Sequence, residues 1–181
     1  HFFLEKPLGK NPIISKRMIV DLNKKKIRYS LGFIFEFTKW YNYLKKKIKK
    51  NNNNFNIFWS IKKDTNSKKS WKHNNSQGGG ILRFYGIHFI KIFSDLNFIN
   101  IQRNILNKYS WNIEVSRNDS NKINLRINFK HSNKFLIKNN NKKIFYSSNP
   151  FLKKIIYNKL DPRCLLIKKY IKKNLSTTYM N

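Results

Sequence analysis

Alanine is absent from this chain of 181 residues, which also has only 6 glycines, 4 prolines and one cysteine. A single cysteine excludes a disulfide within the chain and a cysteine-based zinc site, so Cys164 is expected to be a small buried apolar residue. Apolar runs are short, and the longest, such as 31–35 and 84–90, cannot form a membrane-spanning helix. The sequence also shows no secretory signal at its start.

Acidic residues are scarce as well, with 8 Asp or Glu against 39 Lys or Arg and a net charge of +31. Such a charge repels itself in a compact chain, and a polyanionic partner relieves that repulsion. Lys, Asn, Ile and Phe, which have AT-rich codons, are abundant, whereas residues with GC-rich codons are rare. This bias indicates an AT-rich genome, and we expect an organellar, mitochondrial location.

Clusters that carry chemistry are not visible in the sequence. The carboxylates form no D-x-D or H-x-E pair, and no two of the four histidines have metal-ligand spacing. His88 lies in an apolar stretch, which favours a core histidine. Gly78, Gly79 and Gly80 precede Ile81 rather than a Lys-Ser/Thr pair, so they predict a hinge and not a phosphate-binding loop. The expectation is therefore a protein that is not an enzyme, with no metal and no cofactor.

Composition and periodicity divide the chain into four regions. Residues 1–30 contain Pro7, Gly9 and Pro12 and are interpreted as a basic extended arm. Residues 31–50 have apolar side chains at helical spacing and predict an amphipathic helix that ends in lysines. Residues 51–80 are rich in Asn, Lys and Ser and are interpreted as a low-complexity insertion or linker. Residues 81–181 are expected to form a small α+β RNA-binding domain.

That last region contains the clearest periodicity. Residues 98–109 have apolar side chains at helical spacing, and residues 111–117 alternate as a strand does. After a turn at 118–121, apolar residues at 123–129 alternate strictly with polar ones, which predicts a second strand. A basic loop at 134–143 and two helices, at 151–160 and 164–175, complete the expected order.

Lysine and arginine interleaved with aromatic residues are typical of proteins that hold RNA. One basic run alone is usually only a solvated face, but many clusters with almost no acid between them favour binding. The residues expected to bind RNA are Lys10, Lys16, Arg17, Lys24, Lys25, Lys26, Arg28, Lys45, Lys46, Lys49, Lys50, Arg103, Arg117, Arg126, Lys130, Lys138, Lys142, Lys143, Lys153 and Lys154.

Two groups of segments resemble the ribosomal protein three family of the small subunit, which contains a KH domain. The segment 9–17 (GKNPIISKR) resembles the opening of that family. Residues 101–106, 113–117 and 123–129 resemble the entry to its KH domain. The resemblance implies a KH-like helix–strand–strand core, with a basic N-terminal arm, an Asn/Lys-rich insertion and C-terminal helices added to it. The loop 138–143 stands where the family has a G-x-x-G loop.

The function implied by this resemblance is structural, in the small subunit of the mitochondrial ribosome. The expected partners are ribosomal RNA, neighbouring ribosomal proteins and a separate chain that carries the family's C-terminal domain. Three alternatives remain open at this stage. Residues 84–87 resemble a turn of ribosomal protein thirteen. The basic charge also suits an accessory subunit of an organellar nucleic-acid enzyme, and the helix at 33–50 suits a membrane-surface protein.

Overall fold

The computed structural model describes residues 2–50, 52–62, 71–151, 164–169 and 171. Within them, the strands and α-helices follow the chain as β1 (Phe2–Leu4), α1 (Pro12–Lys24), β2 (Tyr29–Leu31), α2 (Lys39–Lys47), β3 (Asn54–Lys62), α3 (Ile87–Asp95), β4 (Asn100–Leu106), β5 (Ser110–Ser116), β6 (Lys122–Lys130), β7 (Lys134–Asn139) and β8 (Lys142–Ser147).

A mixed six-stranded sheet dominates the fold, with strand order β4-β5-β6-β3-β7-β8. Its central pair, β3 and β6, is parallel, and the four other pairs are antiparallel. A KH-like helix–strand–strand core was therefore a wrong expectation. The segment that was expected to be an insertion supplies the sheet with its central strand, β3.

One face of this sheet carries the hydrophobic core. Alternate residues of β3, β5, β6 and β7 point to that face, and helices α2 and α3 cover it. The side chains with the lowest exposure in this layer include Phe35, Trp40, Leu44, Phe55, Ile57, Phe89, Ile92, Ile123, Leu125, Ile127, Phe135 and Ile137. The opposite face is polar and open, because the intervening residues of the same strands are mostly Asn, Ser, Lys and Arg.

The β5–β6 hairpin confirms the strand predictions for 111–117 and 123–129. Ile113 pairs with Leu125, and both are buried, as the alternation requires. Arg126 and Lys130 lie on the polar face of β6, as predicted from the same alternation. The hairpin turn is held by Arg117, whose guanidinium lies 2.9 Å from an Asp119 oxygen and donates to the Leu96 carbonyl.

The helix expected at 98–109 is wrong, because this segment contains strand β4. Ile101, Ile105 and Tyr109 are four residues apart, which imitates helical spacing, but all three are exposed. Pairing with β5 shifts by one residue between Ile101 and Arg103, and this irregularity obscures the alternation expected of a strand.

The N-terminal region is not an extended arm. Pro12 occupies the first turn of α1, where a proline is tolerated because its missing N–H has no helical acceptor. The Asn11 side chain caps the helix by accepting from the Ile14 N–H at 2.9 Å. Strands β1 and β2 flank α1 and pair in parallel, so residues 2–31 form a β-α-β unit.

Other boundaries differ from the sequence predictions. The helix expected over 31–50 is confined to α2, after a 3-10 turn at Ile34–Phe37. The basic loop expected at 134–143 is the β7–β8 hairpin. The helix expected at 151–160 lies almost wholly outside the described residues, whereas 164–169 are helical. Cys164 is exposed rather than buried. Within the described part of the chain, no helix is long and apolar enough to cross a membrane.

Candidate functional site

Lys6 lies at the junction between the β-α-β unit and the layer of helices on the sheet. Its Nζ donates a hydrogen bond of 3.1 Å to the carbonyl oxygen of Phe84 and lies 4.4 Å from the centre of the Phe84 aromatic ring. Burial lowers the pKa of Lys6 to about 8; the positive charge of Lys72 adds to this lowering, and Glu5 opposes it. A lysine with such a pKa is poised to exchange a proton near neutral pH.

Phe84 belongs to a π-helical turn, Ile81–Gly86, which leads directly into α3. A π-helical turn widens the helix and is frequent at functional sites. It places Arg83 and Tyr85 on either side of Phe84. The Arg83 guanidinium donates to the carbonyls of Lys10 and Asn75, at 2.7 and 2.9 Å, and so ties the segment after β1 to the turn that precedes the glycines.

The glycines that precede the π-helical turn allow the backbone of residues 71–77 to pack closely against them. Gly80 has a φ of +87°, a backbone conformation that favours glycine, and a Cβ there would lie 1.6 Å from the Asn75 side chain oxygen. A Cβ at Gly79 would lie 2.0 Å from the Trp71 carbonyl. The glycines therefore serve the close approach of 71–77 rather than a free hinge.

His88 follows the π-helical turn and is almost completely buried, with 4% of its surface exposed. The rings of Phe33, Phe35 and Phe151 surround it, at centroid distances of 6.0, 6.3 and 4.9 Å. Burial lowers the pKa of His88 well below its usual value, and the charge of Lys6 lowers it further, so the imidazole is neutral. Its Nδ1 has no hydrogen-bond partner among the described residues. The sequence predicted a core histidine at this position. The ring is buried as predicted, but its Nδ1 makes no hydrogen bond to any described residue.

Tyr85 and His73 extend an aromatic cluster from Phe84, whose ring lies 4.8 Å from that of Tyr85. Their rings stack at a centroid distance of 6.2 Å, and Trp59 from the central strand packs edge-on against Tyr85. Burial raises the pKa of the Tyr85 hydroxyl to about 12, so this group is a protonated donor at neutral pH.

A cleft of about 280 Å³ opens on the side of Lys6 that faces α1. Its walls are largely apolar, and Lys6 and Arg83 are the charged residues on its lining. An apolar cleft with a few convergent polar groups is the usual form of a small-molecule site. The other lining residues are Pro7, Leu8, Gly9, Asn11, Pro12, Ser15, Leu31, Phe33 and Ile87.

The residues expected to bind RNA are not brought together at one site. One group lies on or beside α1, and a second lies at the end of α2: Lys10, Lys16, Arg17, Lys24, Lys25, Lys26 and Arg28, then Lys45, Lys46, Lys49 and Lys50. A third group lies on the sheet strands and in the turn after β5: Arg103, Arg117, Arg126, Lys130, Lys138, Lys142 and Lys143. Lys153 and Lys154 lie outside the described residues.

Lys6 is not among the residues predicted from the sequence, and His88 was predicted only as a core histidine. Neither residue stands out in a chain with so many lysines, and their proximity depends on packing between segments about 80 residues apart. The neutral, unsatisfied imidazole could be found only from the fold. In the part of the chain that the structure describes, no three His, Cys, Asp or Glu residues are grouped as metal ligands.

Comparison with solved structures shows which fold this is. The WlbA (WbpB) dehydrogenase of Thermus thermophilus, in complex with NAD and UDP-GlcNAcA, matches with a TM-score of 0.69 at 14% identity, over 94% of this chain and 57% of that protein. KijD10, a 3-ketoreductase of Actinomadura kijaniata solved with NADP and TDP-benzene, gives 0.56 at 15% identity, over 77% and 50%. Myo-inositol 2-dehydrogenase of Lactobacillus plantarum gives 0.56 at 16% identity, over 81% and 50%.

The chain therefore shares its fold with these two dehydrogenases and the ketoreductase, and it spans about half the length of each. A scan against protein-family models finds no match, and a search of curated protein sequences finds none either. The fold contradicts the assignment to ribosomal protein three and, with it, the expected ribosomal role and rRNA partners. It supports neither the ribosomal protein thirteen alternative nor the accessory-subunit one. The same likeness contradicts the expectation that the chain is not an enzyme, because the similar proteins are dehydrogenases and a ketoreductase.

Proposed function

We propose that this chain is the substrate-facing part of an NAD(P)-dependent oxidoreductase. The observation that carries the proposal is the position of Lys6, a partly buried lysine whose pKa is about 8, on the lining of an apolar cleft, where its charge also lowers the pKa of the buried His88. The fold shared with dehydrogenases and a ketoreductase supports the same conclusion.

Oxidation of an alcohol removes a hydride from carbon and a proton from oxygen. Lys6 is largely an ammonium at neutral pH, so it donates a hydrogen bond to the reacting oxygen and stabilises negative charge that develops there. The neutral amine form of Lys6, which a pKa of about 8 makes accessible near neutral pH, accepts the hydroxyl proton, whereas His88 is almost completely buried and does not line the cleft. The positive charge of Lys6 keeps the pKa of His88 low in the resting state.

The cleft beside Lys6 fits the flat nicotinamide end of such a cofactor. Pro7, Leu31 and Phe33 offer apolar walls, and Lys6 and Arg83 supply the charged groups. When bound there, the cofactor supplies the acceptor or donor of the hydride. Its diphosphate needs a different cradle, and the sequence contains no G-x-G-x-x-G motif, because Gly78 and Gly80 are followed by Arg83.

The β-α-β unit supplies the surface on which a dinucleotide-binding part would pack. A two-stranded parallel sheet is uncommon alone, since parallel sheets are normally covered on both faces. Helix α1 has no buried residue. The unit carries five exposed apolar side chains, those of Phe2, Phe3, Ile13, Ile14 and Val20. Further parallel strands added beside β1 would bury them and place a cofactor next to Lys6.

The substrate class proposed is a polyol or a sugar linked to a nucleotide. Two of the similar proteins are described with such compounds, UDP-GlcNAcA and myo-inositol. The net charge of +31 favours an anionic substrate such as a nucleotide-linked sugar, because a cationic surface attracts it.

Steady-state oxidation of such sugars by the full-length protein, with NAD or NADP as acceptor, tests the proposal. Lys6→Met is expected to lower kcat by about 100-fold or more, the usual contribution of a positioned acid or base. Lys10→Met is the matched control, because Lys10 is an exposed lysine on the same segment. Equal activity of the two variants would contradict the assigned role of Lys6.

A further inference from the structure

A second lysine lies against the aromatic ring that Lys6 contacts. The Nζ of Lys72 is 5.6 Å from the centre of the Phe84 ring, and the Nζ of Lys6 is 4.4 Å from the same point. Each ammonium group is attracted by the ring, but the two positive charges repel each other. The ring therefore brings together two like charges of which only Lys6 lines the cleft.

The backbone around Lys72 fixes this approach. Lys72 belongs to a 3-10 turn, Trp71–His73, and the Trp71 ring packs edge-on against Phe84 at a centroid distance of 5.3 Å. Gly79 packs so close to the turn that a Cβ there would lie 2.7 Å from the Lys72 carbonyl oxygen. The side chain of Lys72 is exposed, yet its backbone is held beside the ring.

The other titratable or charged side chains around Lys6 and Phe84 leave this role to Lys72. They are Glu5, His73, Arg83, Tyr85 and His88. The raised pKa of Tyr85 and the lowered pKa of His88 keep both uncharged at neutral pH. The Arg83 guanidinium donates to two backbone carbonyls, and the His73 ring stacks on Tyr85. Glu5 opposes Lys72 by raising the pKa of Lys6, but these two residues form no ion pair in the described structure.

We propose that Lys72 is a positioning residue for Lys6: its ammonium group, held on the same ring, favours release of a proton from Lys6 and so prepares the amine that accepts the hydroxyl proton of the substrate. This inference rests on the proposed function. A proton passes from the Lys6 ammonium to water before the reaction, and the Lys6 amine then takes the hydroxyl proton as the hydride leaves carbon for the cofactor. Lys72 does not line the cleft, so it acts only through Lys6.

Titration of Lys6 tests the proposal without any need for activity. The folded full-length protein is acetylated with a trace of acetic anhydride at a series of pH values, and mass spectrometry of the peptide that carries Lys6 gives its reactive amine fraction. Lys72→Met and Lys72→Gln should each raise the midpoint by about 0.3 to 1 pH unit, because the repelling charge is removed. Lys72→Arg should keep the midpoint, since it keeps the charge. Lys10→Met removes the same charge from an exposed lysine on the segment of Lys6 and should also keep it.

The pH profile of oxidation gives a second measurement. The acidic limb of kcat/KM should move upward in Lys72→Met by the same amount as the Lys6 midpoint, and Lys72→Arg should restore it. An unmoved midpoint in both neutral variants, an equal shift in Lys10→Met, or an acidic limb that does not follow the midpoint would each overturn the role of Lys72. A midpoint that moves as expected in a protein that oxidises none of the sugars supports the electrostatic effect of Lys72 and contradicts the proposed function alone.

Discussion

The Lys6 ammonium donates its hydrogen bond to the carbonyl oxygen of Phe84, a residue 78 positions further along the chain. This contact joins the β-α-β unit to the helices on the six-stranded sheet. It also buries a cation against an aromatic ring, at 4.4 Å from the centroid. Lys6 therefore links two parts of the fold, and its charge adds to the effect of burial in lowering the pKa of His88.

The titration of Lys6 gives the first prediction. Its pKa is lowered from 10.5 to about 8 by folding, so between these values the unfolded chain holds a proton that the folded chain has lost. The free energy of unfolding should therefore rise with pH across this window, by at most about 1.4 kcal/mol per pH unit. Chemical denaturation at several pH values, with Lys6→Met as reference, measures it. A constant difference between the two proteins from pH 8 to 10.5 would show that Lys6 is not buried.

His88 has the second pH dependence. Its folded pKa is lowered well below 6.5, so as the pH falls below 6.5 the unfolded chain gains a proton that the folded chain does not accept. Stability should fall with decreasing pH until the lowered pKa is reached, again with a limiting slope of about 1.4 kcal/mol per unit. His88→Phe should remove this component, whereas His131→Phe should retain it, because His131 is exposed.

Two tryptophans lie in different surroundings, Trp59 in the central strand β3 and Trp71 in a surface turn. Trp59 in β3 is 6% exposed and contacts the rings of Tyr85, Phe89 and Phe135. Trp59→Ala should cost about 3–5 kcal/mol of stability, as for other buried aromatic residues. Trp71 is 41% exposed, so Trp71→Ala should cost far less. Thermal unfolding of both variants measures the difference, and similar losses would contradict the position of β3 in the core.

The close approach at Gly80 leads to a fourth prediction. Gly80→Ala places a methyl group against the Asn75 side chain and forces alanine into a positive φ, at a cost of about 1–3 kcal/mol. Adding Asn75→Gly removes the clash but not the backbone strain, so the double variant should recover only part of the loss. Full recovery would mean that the φ of Gly80 is not constrained.

The sequence predicted strands correctly where one face of the strand is buried and the other is exposed to solvent. Ile123, Leu125 and Ile127 alternate with polar residues, and β6 lies where that alternation predicts it. The same signal is present in Phe55, Ile57, Trp59 and Ile61, but the surrounding Asn and Lys obscured it. At α1 the prolines were interpreted as helix breakers, although Asn11 before Pro12 is a capping residue before a first-turn proline.

The candidate site was beyond sequence reasoning for a physical reason. A lysine has a lowered pKa only because of what covers it, and Lys6 is covered by Phe84 through a long-range contact. The imidazole of His88 is distinctive because its Nδ1 lacks a hydrogen-bond partner among the described residues. The spacing of residues along the sequence does not reveal this. The cationic composition instead favoured an RNA-binding surface in the sequence prediction. The mitochondrial location stays a prediction.

The most direct test of the central claim is isotope transfer from the cofactor. The full-length protein is incubated with NADH or NADPH that carries deuterium at its hydride position, together with keto forms of polyols and nucleotide-linked sugars. We expect deuterium on the carbon of the alcohol product, detected by mass spectrometry, and its loss in Lys6→Met but not in Lys10→Met. Folded protein that transfers no deuterium from either cofactor to any of these compounds would contradict it.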